Sequence, residues 1–439
     1  MRALDMIADQ AKPQTAPALS ANSTEYEQAT AFAGTLPPVR TVGNQWYLYT
    51  DGLWRPTPRD ELKPRLLAIL PDQIKTARRI NMVLDNLEAQ KQVSRSALRG
   101  FHFFDDSGAV IINMANGALR VTSSSMSLGA HAEDHSFTFQ AVSSYNPNAK
   151  CPKFLDTLSQ ILPDEEDRTL LQVAAGNVLF PSSQHEASLI CYGAAGTGKS
   201  TIALAIAAAL GPDLVQHLTL SQLCDPRSYS LPKLWYAALN LGTEINTLAL
   251  DDSTNFKQLV SGEPVEARPI YGTPFTMTTT CKLWFLANNP PLFKYGTEAE
   301  HRRMRFLQFN IVPPAKDTTL KAKLINERNG IFLWALHGLQ TLMRSGTVPL
   351  GGPNSRNVHS TFAVTNDPIG AFIDSCCVLD PGTSIVKADL ATAYADFIAQ
   401  HGLPSQSTEW FFKRLYEKHT SVVPAKRQHT PVVCGIALK

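Results

Sequence analysis

Residues 187 to 210 place an apolar run ending at Tyr192-Gly193, a turn of small residues from Ala194 to Gly198, and a run from Lys199 in which Ile202, Leu204, Ile206 and Leu210 recur. A buried strand that enters a helix through a glycine-rich turn commits this region to a sheet with crossovers, and residues 187 to 310 continue the alternation of strands and helices. The turn itself has the spacing GxxxxGK[ST]. Gly193, Gly196 and Gly198 allow successive backbone N–H groups to converge on an anion at a helix N-terminus, where the macrodipole adds attraction. In that arrangement Ala194, Ala195, Thr197 and Thr201 complete the cradle, Lys199 reaches the β- and γ-phosphates of ATP, and the Ser200 hydroxyl ligates Mg2+.

At 439 residues the chain exceeds one ordinary core, so two or more folding units are expected. A formal net charge of +2 excludes a general positive field, and any nucleic-acid contact has to come from local basic surfaces. The seven cysteines are scattered without a CxxC pair, which fits a reducing cytosol. The N-terminal run MRALDMIADQAK is polar at every turn and unlike a secretory signal, and no stretch approaches the ~20 apolar residues of a membrane span. A cytoplasmic protein without membrane association is the expectation.

Composition and periodicity divide the chain further. Residues 1–38, rich in Ala, Pro, Ser and Thr, read as a poorly ordered lead-in. Residues 39–150 read as an N-terminal mixed α/β domain that opens with a hairpin turning at Asp51-Gly52. Residues 151–186 carry three- and four-residue apolar spacing opened by acidic residues, a helical collar. After the core at 187–312 come a helical segment at 313–350, a Gly- and Pro-rich linker at 351–358, and a small domain of about three helices and a hairpin at 359–439.

Hydrolysis needs a carboxylate near the cradle and a group that senses the γ-phosphate. Glu244, ending a strand-like run, and Asp251-Asp252, ending another, are the acidic candidates, and residue chemistry alone does not separate them. The order of landmarks resembles that of superfamily 3 helicases, specifically the helicase portion of phage, plasmid and poxvirus-type primase-helicases. The resemblance rests on GAAGTGKST, LNLGTEI, NFKQLVSGEPVEARPIYGTPFTM, KLWFLANNPP and HRRMRFLQF, with weaker likeness outside them.

That resemblance implies an AAA+-like P-loop ATPase core with a C-terminal winged-helix domain, and it selects Glu244 as the carboxylate that polarises the attacking water beside the metal. It implies that Asn288 is the sensor and that Arg302-Arg303 supply an arginine finger to the neighbouring subunit, with Arg303 the choice. A finger acting between subunits implies a homo-oligomeric ring, usually a hexamer. Many relatives carry two acids where Thr243 precedes Glu244 here, so metal ligation falls to Ser200 and water. A hairpin around Tyr271-Gly272 is expected to line a central channel, where Lys257, Arg268, Tyr271 and Lys294 contact single-stranded DNA. Lys413 and Arg414 lie along a C-terminal helix suited to a duplex backbone.

Two further signals have simpler explanations. Asp105-Asp106 ends an apolar strand and reads as a turn, because two-metal chemistry needs a second acidic motif. His131 and His135 have zinc-like i, i+4 spacing but follow a Ser-rich loop with no third ligand. The expectation is therefore an ATP-dependent DNA helicase that replicates a phage, plasmid or other mobile element. It would move 3′ to 5′ on single-stranded or forked DNA beside a separate primase or initiator. A primase and an ATPase scaffold that does not unwind are the alternatives.

Overall fold

The computed structural model describes residues 20–225, 227–243, 252–270, 272–288, 298–313, 317–401, 403 and 405–439. The chain divides into two compact units, Met1–Pro147 and Asn148–Lys439.

In the first unit the elements run α1 (Glu25–Ala33), β1 (Val39–Val42), β2 (Gln45–Thr50), β3 (Leu53–Thr57), α2 (Arg59–Ile69), α3 (Ala77–Gln90), β4 (His102–Phe104), β5 (Val110–Met114), β6 (Gly117–Val121) and β7 (Met126–Gly129). They form two antiparallel sheets, β1-β2-β3 and β4-β5-β6-β7. The hairpin between β2 and β3 turns at Asp51 and Gly52, both at positive φ, as the Asp-Gly pair requires. Within the segment expected to lack order, residues 25–33 are helical. A capping box between Thr24 and Glu27 opens α1, and fully buried Phe32 joins Trp46, Val83 and Leu84 in one core.

The discounted acidic signal is a strand-end turn, and the histidines lie in an irregular segment that ends in a short 3-10 helix, Glu133–His135. Asp105 accepts from the Ser107 hydroxyl, the Ala109 N–H and Arg120, and the Ser107 hydroxyl leads in holding its carboxyl well below the usual range. His131 Nε2 lies 2.9 Å from the Met114 carbonyl, and among the described residues no group of three metal-ligating side chains converges.

The second unit opens with α4 (Pro152–Ile161) and α5 (Glu165–Val178), followed by β8 (Ser188–Tyr192), α6 (Lys199–Leu210), β9 (Val215–Gln216), α7 (Leu220–Cys224), β10 (Leu239–Gly242), α8 (Thr254–Ser261), β11 (Val265–Ala267), β12 (Phe275–Met277), β13 (Lys282–Ala287), α9 (Glu298–Arg303) and β14 (Met304–Gln308). Helices α10 (Leu320–Asn326), α11 (Arg328–Ser345) and α12 (Pro353–Asn366) follow, and the chain closes with α13 (Pro368–Cys376), β15 (Cys377–Val378), β16 (Ser384–Val386), α14 (Lys387–Gln400), α15 (Thr408–Lys418), β17 (Val423–Arg427), β18 (Thr430–Cys434) and β19 (Ala437–Leu438).

Five strands form a parallel sheet in the order β14-β8-β13-β10-β9. Every residue of β13 is buried, the pattern of a strand covered on both faces. Because all five strands point the same way, the chain leaving β8, β10 and β13 emerges along one edge. Helices α5 and α11 cross so closely that a Cβ at Gly176 would stand 2.1 Å from the Leu339 nitrogen. The C-terminal part packs α13, α14 and α15 with the sheet β16-β18-β17 around Phe372, Leu390, Phe411 and Val433.

The stretch 351–358, expected as a linker, is fastened down. Its Gly352 N–H donates to buried Asp167 at 2.8 Å, and the fully buried Ser355 hydroxyl accepts from the Gln308 N–H at 3.1 Å. Arg356 pairs with Glu166. Gly-Gly-Pro looks like a loop in sequence, but proline is favoured in the first turn of a helix, and α12 begins at Pro353.

Candidate functional site

Strand β8 ends at Tyr192 and the chain turns into α6 through Gly193 to Gly198. Gly196 and Gly198 have φ of 84° and 87°, and left-handed positions within a turn are what converge neighbouring N–H groups into an anion nest. Gly193 answers a different demand, since a Cβ there would lie 2.1 Å from the Phe309 carbonyl oxygen. The ends of β8 and β14 are thus in backbone contact beneath the turn, and Phe309 N–H donates to Tyr192 at 2.7 Å.

Lys199, 7% exposed, donates to the carbonyls of Gly193 and Ala194 at 2.5 and 2.6 Å, and its Nζ stands 3.4 Å from Asn288 Oδ1. Burial pushes the Lys199 pKa down from its ordinary value. Asn288 follows the last residue of β13, the strand between β8 and β10, so the order of the sheet brings this amide beside the lysine. Residues 194, 195, 196 and 200 are exposed, whereas the Thr197 hydroxyl turns back to the Ala194 carbonyl at 2.9 Å.

A cavity of ≈ 1320 Å³ opens over this edge. Its floor is the turn with Lys199, Ser200 and Thr201. Toward β10 and β13 it is bounded by Thr219, Ser221, Thr243 and Asn288, and on the other side by Thr157, Gln160 and Ile161 of α4 with Leu320 and Lys321 of α10. Thr243 reaches the cavity, while Glu244, the residue after it, lies outside the described residues, as do Tyr271 and Lys294. The α4 and α10 walls went unnoticed in the sequence because no motif marks them.

The two arginines separate sharply. Arg303 is 6% exposed; its Nε donates to Ser261 at 2.9 Å, its Nη1 to the Ala299 carbonyl at 2.9 Å, and its Nη2 lies 3.4 Å from Glu186. Arg302 has a side chain 57% exposed and, among the described residues, a single ion pair, also to Glu186, at 3.3 Å. The expected preference for Arg303 as the group reaching a neighbour therefore meets a side chain already committed inside its own fold.

Lys257 shares that situation, because its Nζ lies 3.2 Å from Glu300, whose side chain is 2% exposed, and Ser253 bonds the same carboxylate. The ammonium ties α8 to α9, although the lysine side chain itself is 32% exposed. Arg268, by contrast, is exposed at the end of β11, with its guanidinium 6.0 Å from the ring centroid of Tyr229. Tyr229, 52% exposed, is a surface aromatic that sequence reading missed, since only the fold brings residue 229 to the β11–β12 hairpin. Lys413 is exposed on α15, and Arg414 pairs along the same helix with Glu417 at 3.1 Å.

Among known proteins, the model of a family of unknown function, DUF5906, matches residues 191–303, the stretch from the end of β8 through α9. No curated protein matches the sequence. Among solved structures, the chain is similar to the A form apo structure of the NrS-1 C-terminal region, at a TM-score of 0.55 and 10% identity over 95% of this chain and 100% of that one. A second apo structure of the same region gives 0.54 and 10% identity over 94% and 99%. At that identity the likeness is one of fold. Among the described residues no helix is long and apolar enough to cross a membrane.

Proposed function

We propose that this chain is an ATP-driven DNA helicase of the superfamily 3 kind, a P-loop motor of AAA+ type that works as a ring on single-stranded and forked DNA during replication of a mobile element. The observation that carries the reading is the placement of Asn288 Oδ1 3.4 Å from Lys199 Nζ inside one large cavity at the strand-end edge of a parallel sheet. An ammonium and a side-chain amide so close can grip the same terminal phosphate, and a strand inserted between β8 and β10 is what brings the amide there.

Each residue then has a physical task. The turn holds the phosphates through backbone N–H groups, and Lys199 exchanges its carbonyl partners for phosphate oxygens. Ser200, exposed at the start of α6 and lining the cavity, offers a hydroxyl that fits Mg2+, an ion that takes few protein ligands and keeps waters and phosphate oxygens. When bound, the ion neutralises charge on the triphosphate. Glu244, one residue past Thr243, is the group assigned to orient the attacking water. Arg302, more exposed than Arg303, is assigned to the neighbouring subunit's nucleotide.

The β11–β12 hairpin connects the chain leaving β10 to the chain entering β13, so movement at either strand end shifts its base. Arg268 and Tyr229 supply a cation and a stacking surface to a DNA strand at its tip. The helices α13 to α15 with the β16-β18-β17 sheet are read as a winged helix whose Lys413 and Arg414 face duplex DNA.

A labelled fork with a 3′ tail tests the reading. Wild-type protein with ATP and Mg2+ displaces the strand, and Lys199→Ala lowers both hydrolysis and displacement by about 10²–10³-fold, the scale of one lost charge-stabilising contact. DNA-stimulated hydrolysis that persists in Lys199→Ala refutes the cradle. Hydrolysis without displacement by the wild type refutes the helicase.

A further inference from the structure

The cavity has two ends, and the nucleotide reading gives them different tasks. Phosphates belong at the turn, with the terminal one toward Asn288 and Thr243. The ribose and base must then extend the other way, between α4 and α10. A carboxylate at the end of α10 reaches the start of α4.

Helix α4 starts at Pro152 after Cys151, which makes no side-chain cap. The first N–H groups of a helix have no partner within it, and proline removes one of them outright. Glu327 satisfies the next two, accepting from Lys153 N–H at 2.9 Å through Oε1 and from Phe154 N–H at 2.8 Å through Oε2. Leu155 N–H then closes on the Cys151 carbonyl at 3.0 Å, so the first turn is fully paired. Glu327 is also the residue between α10 and α11, the C-cap of one and the N-cap of the other.

At its far end α4 presents Thr157, Gln160 and Ile161 to the cavity, and Ile161 Cδ1 lies 3.0 Å from where a Cβ on Gly198 would stand. The helix thus spans from the Glu327 clasp to the phosphate turn. Phe154, fully buried, meets the Trp334 ring edge-on at 5.1 Å and fixes the roll of α4 on α11.

We propose that Glu327 is a positioning residue for nucleoside recognition: its carboxylate, bonded to both free N–H groups of α4 from the α10–α11 junction, sets the width of the slot that receives the base and ribose. This inference rests on the nucleotide reading above. It assigns the phosphate turn no dependence on Glu327.

The test compares ATP with inorganic tripolyphosphate, which has the phosphates and no nucleoside, by calorimetry on the full chain with Mg2+. In wild type, ATP binds more tightly than tripolyphosphate. Glu327→Gln keeps the size of the side chain but turns an amide NH2 toward one of the α4 donors; ATP affinity is expected to fall about tenfold, the scale of one lost charge-assisted bond, with tripolyphosphate affinity held within about twofold. In steady state the same variant raises KM for ATP and leaves kcat within about twofold. Should Glu327→Ala fail to fold, the isosteric Glu327→Gln still carries the comparison.

Equal loss of both ligands in Glu327→Gln means general support of the fold and overturns the proposal, as does no loss of either. If wild type binds the two ligands equally, the slot does not read the nucleoside and the proposal falls while the phosphate cradle stands. If wild type binds neither, the nucleotide reading itself is wrong.

Discussion

Replacing Arg302 and Arg303 one at a time should produce opposite phenotypes, although the residues are adjacent. Removing the Arg303 guanidinium leaves the Ser261 hydroxyl, the Ala299 carbonyl and part of the Glu186 carboxylate without their donor in a site where the arginine is 6% exposed. One unsatisfied buried group costs about 1–3 kcal/mol, so this network should lose about 3 kcal/mol in Arg303→Ala. For a unit of this size, with an unfolding entropy of ~2.1 cal/mol/K per residue, that lowers Tm by roughly 5 °C. Among the described residues Arg302 makes one ion pair, from a side chain 57% exposed, worth at most about 1 kcal/mol. Its loss should hardly change Tm, yet removal of an arginine that stabilises a neighbour's transition state lowers kcat by about 10³-fold or more. The assays are thermal unfolding and ATP hydrolysis on each variant, followed by mixing Arg302→Ala with Lys199→Ala. Each is inactive alone, but a mixed ring joins an intact cradle in one subunit to an intact Arg302 in the next, and hydrolysis returns. Full activity in folded Arg302→Ala removes it from the mechanism, and an unchanged Tm in Arg303→Ala shows that the buried network is not structural.

Lys282 provides a pH test, because it is 5% exposed at the start of β13, with Nζ bonded to the carbonyls of Phe180, Ser182 and Thr280. Burial pushes its pKa down to about 7 from an ordinary 10.5. From about pH 7 to 10.5 the unfolded chain therefore holds a proton that the folded one has shed, and stability rises with pH by at most about 1.4 kcal/mol per unit. Urea midpoints of wild type and Lys282→Met, measured at pH 6.5 and 9, should show this rise in the wild type alone after the titrations common to both cancel; parallel curves would mean that the three carbonyls keep the ammonium charged. Gly193→Ala should break the β8–β14 contact at Phe309 and abolish nucleotide binding, and retained ATP affinity would contradict the close approach there.

The strand, glycine turn and helix around Lys199 were legible in the sequence because their requirements are local. Glycines at left-handed φ, a lysine one position into a helix and an apolar strand before the turn are each dictated within a dozen residues. The Asp51-Gly52 hairpin was legible for the same reason. Charges were legible only as charges: Lys257 read like a cation available to DNA, and its commitment to Glu300 depends on α8 meeting α9. The stretch 351–358 reads as a linker in sequence because the Asp167 carboxylate and the Gln308 N–H, the groups that bind it, gain that role only through packing.

By itself the sequence determined a strand, a glycine-rich turn and a helix, since backbone sterics and the orphan N–H groups of a helix start act over a few neighbouring residues. The tertiary structure decided which of two adjacent arginines is buried and which strand stands beside the cradle. It also decided that a carboxylate 174 positions along the chain from Lys153 caps α4, a helix that lines the cavity. Those outcomes follow from burial and pairing between distant segments, whose energies exist only once the chain has brought the segments together.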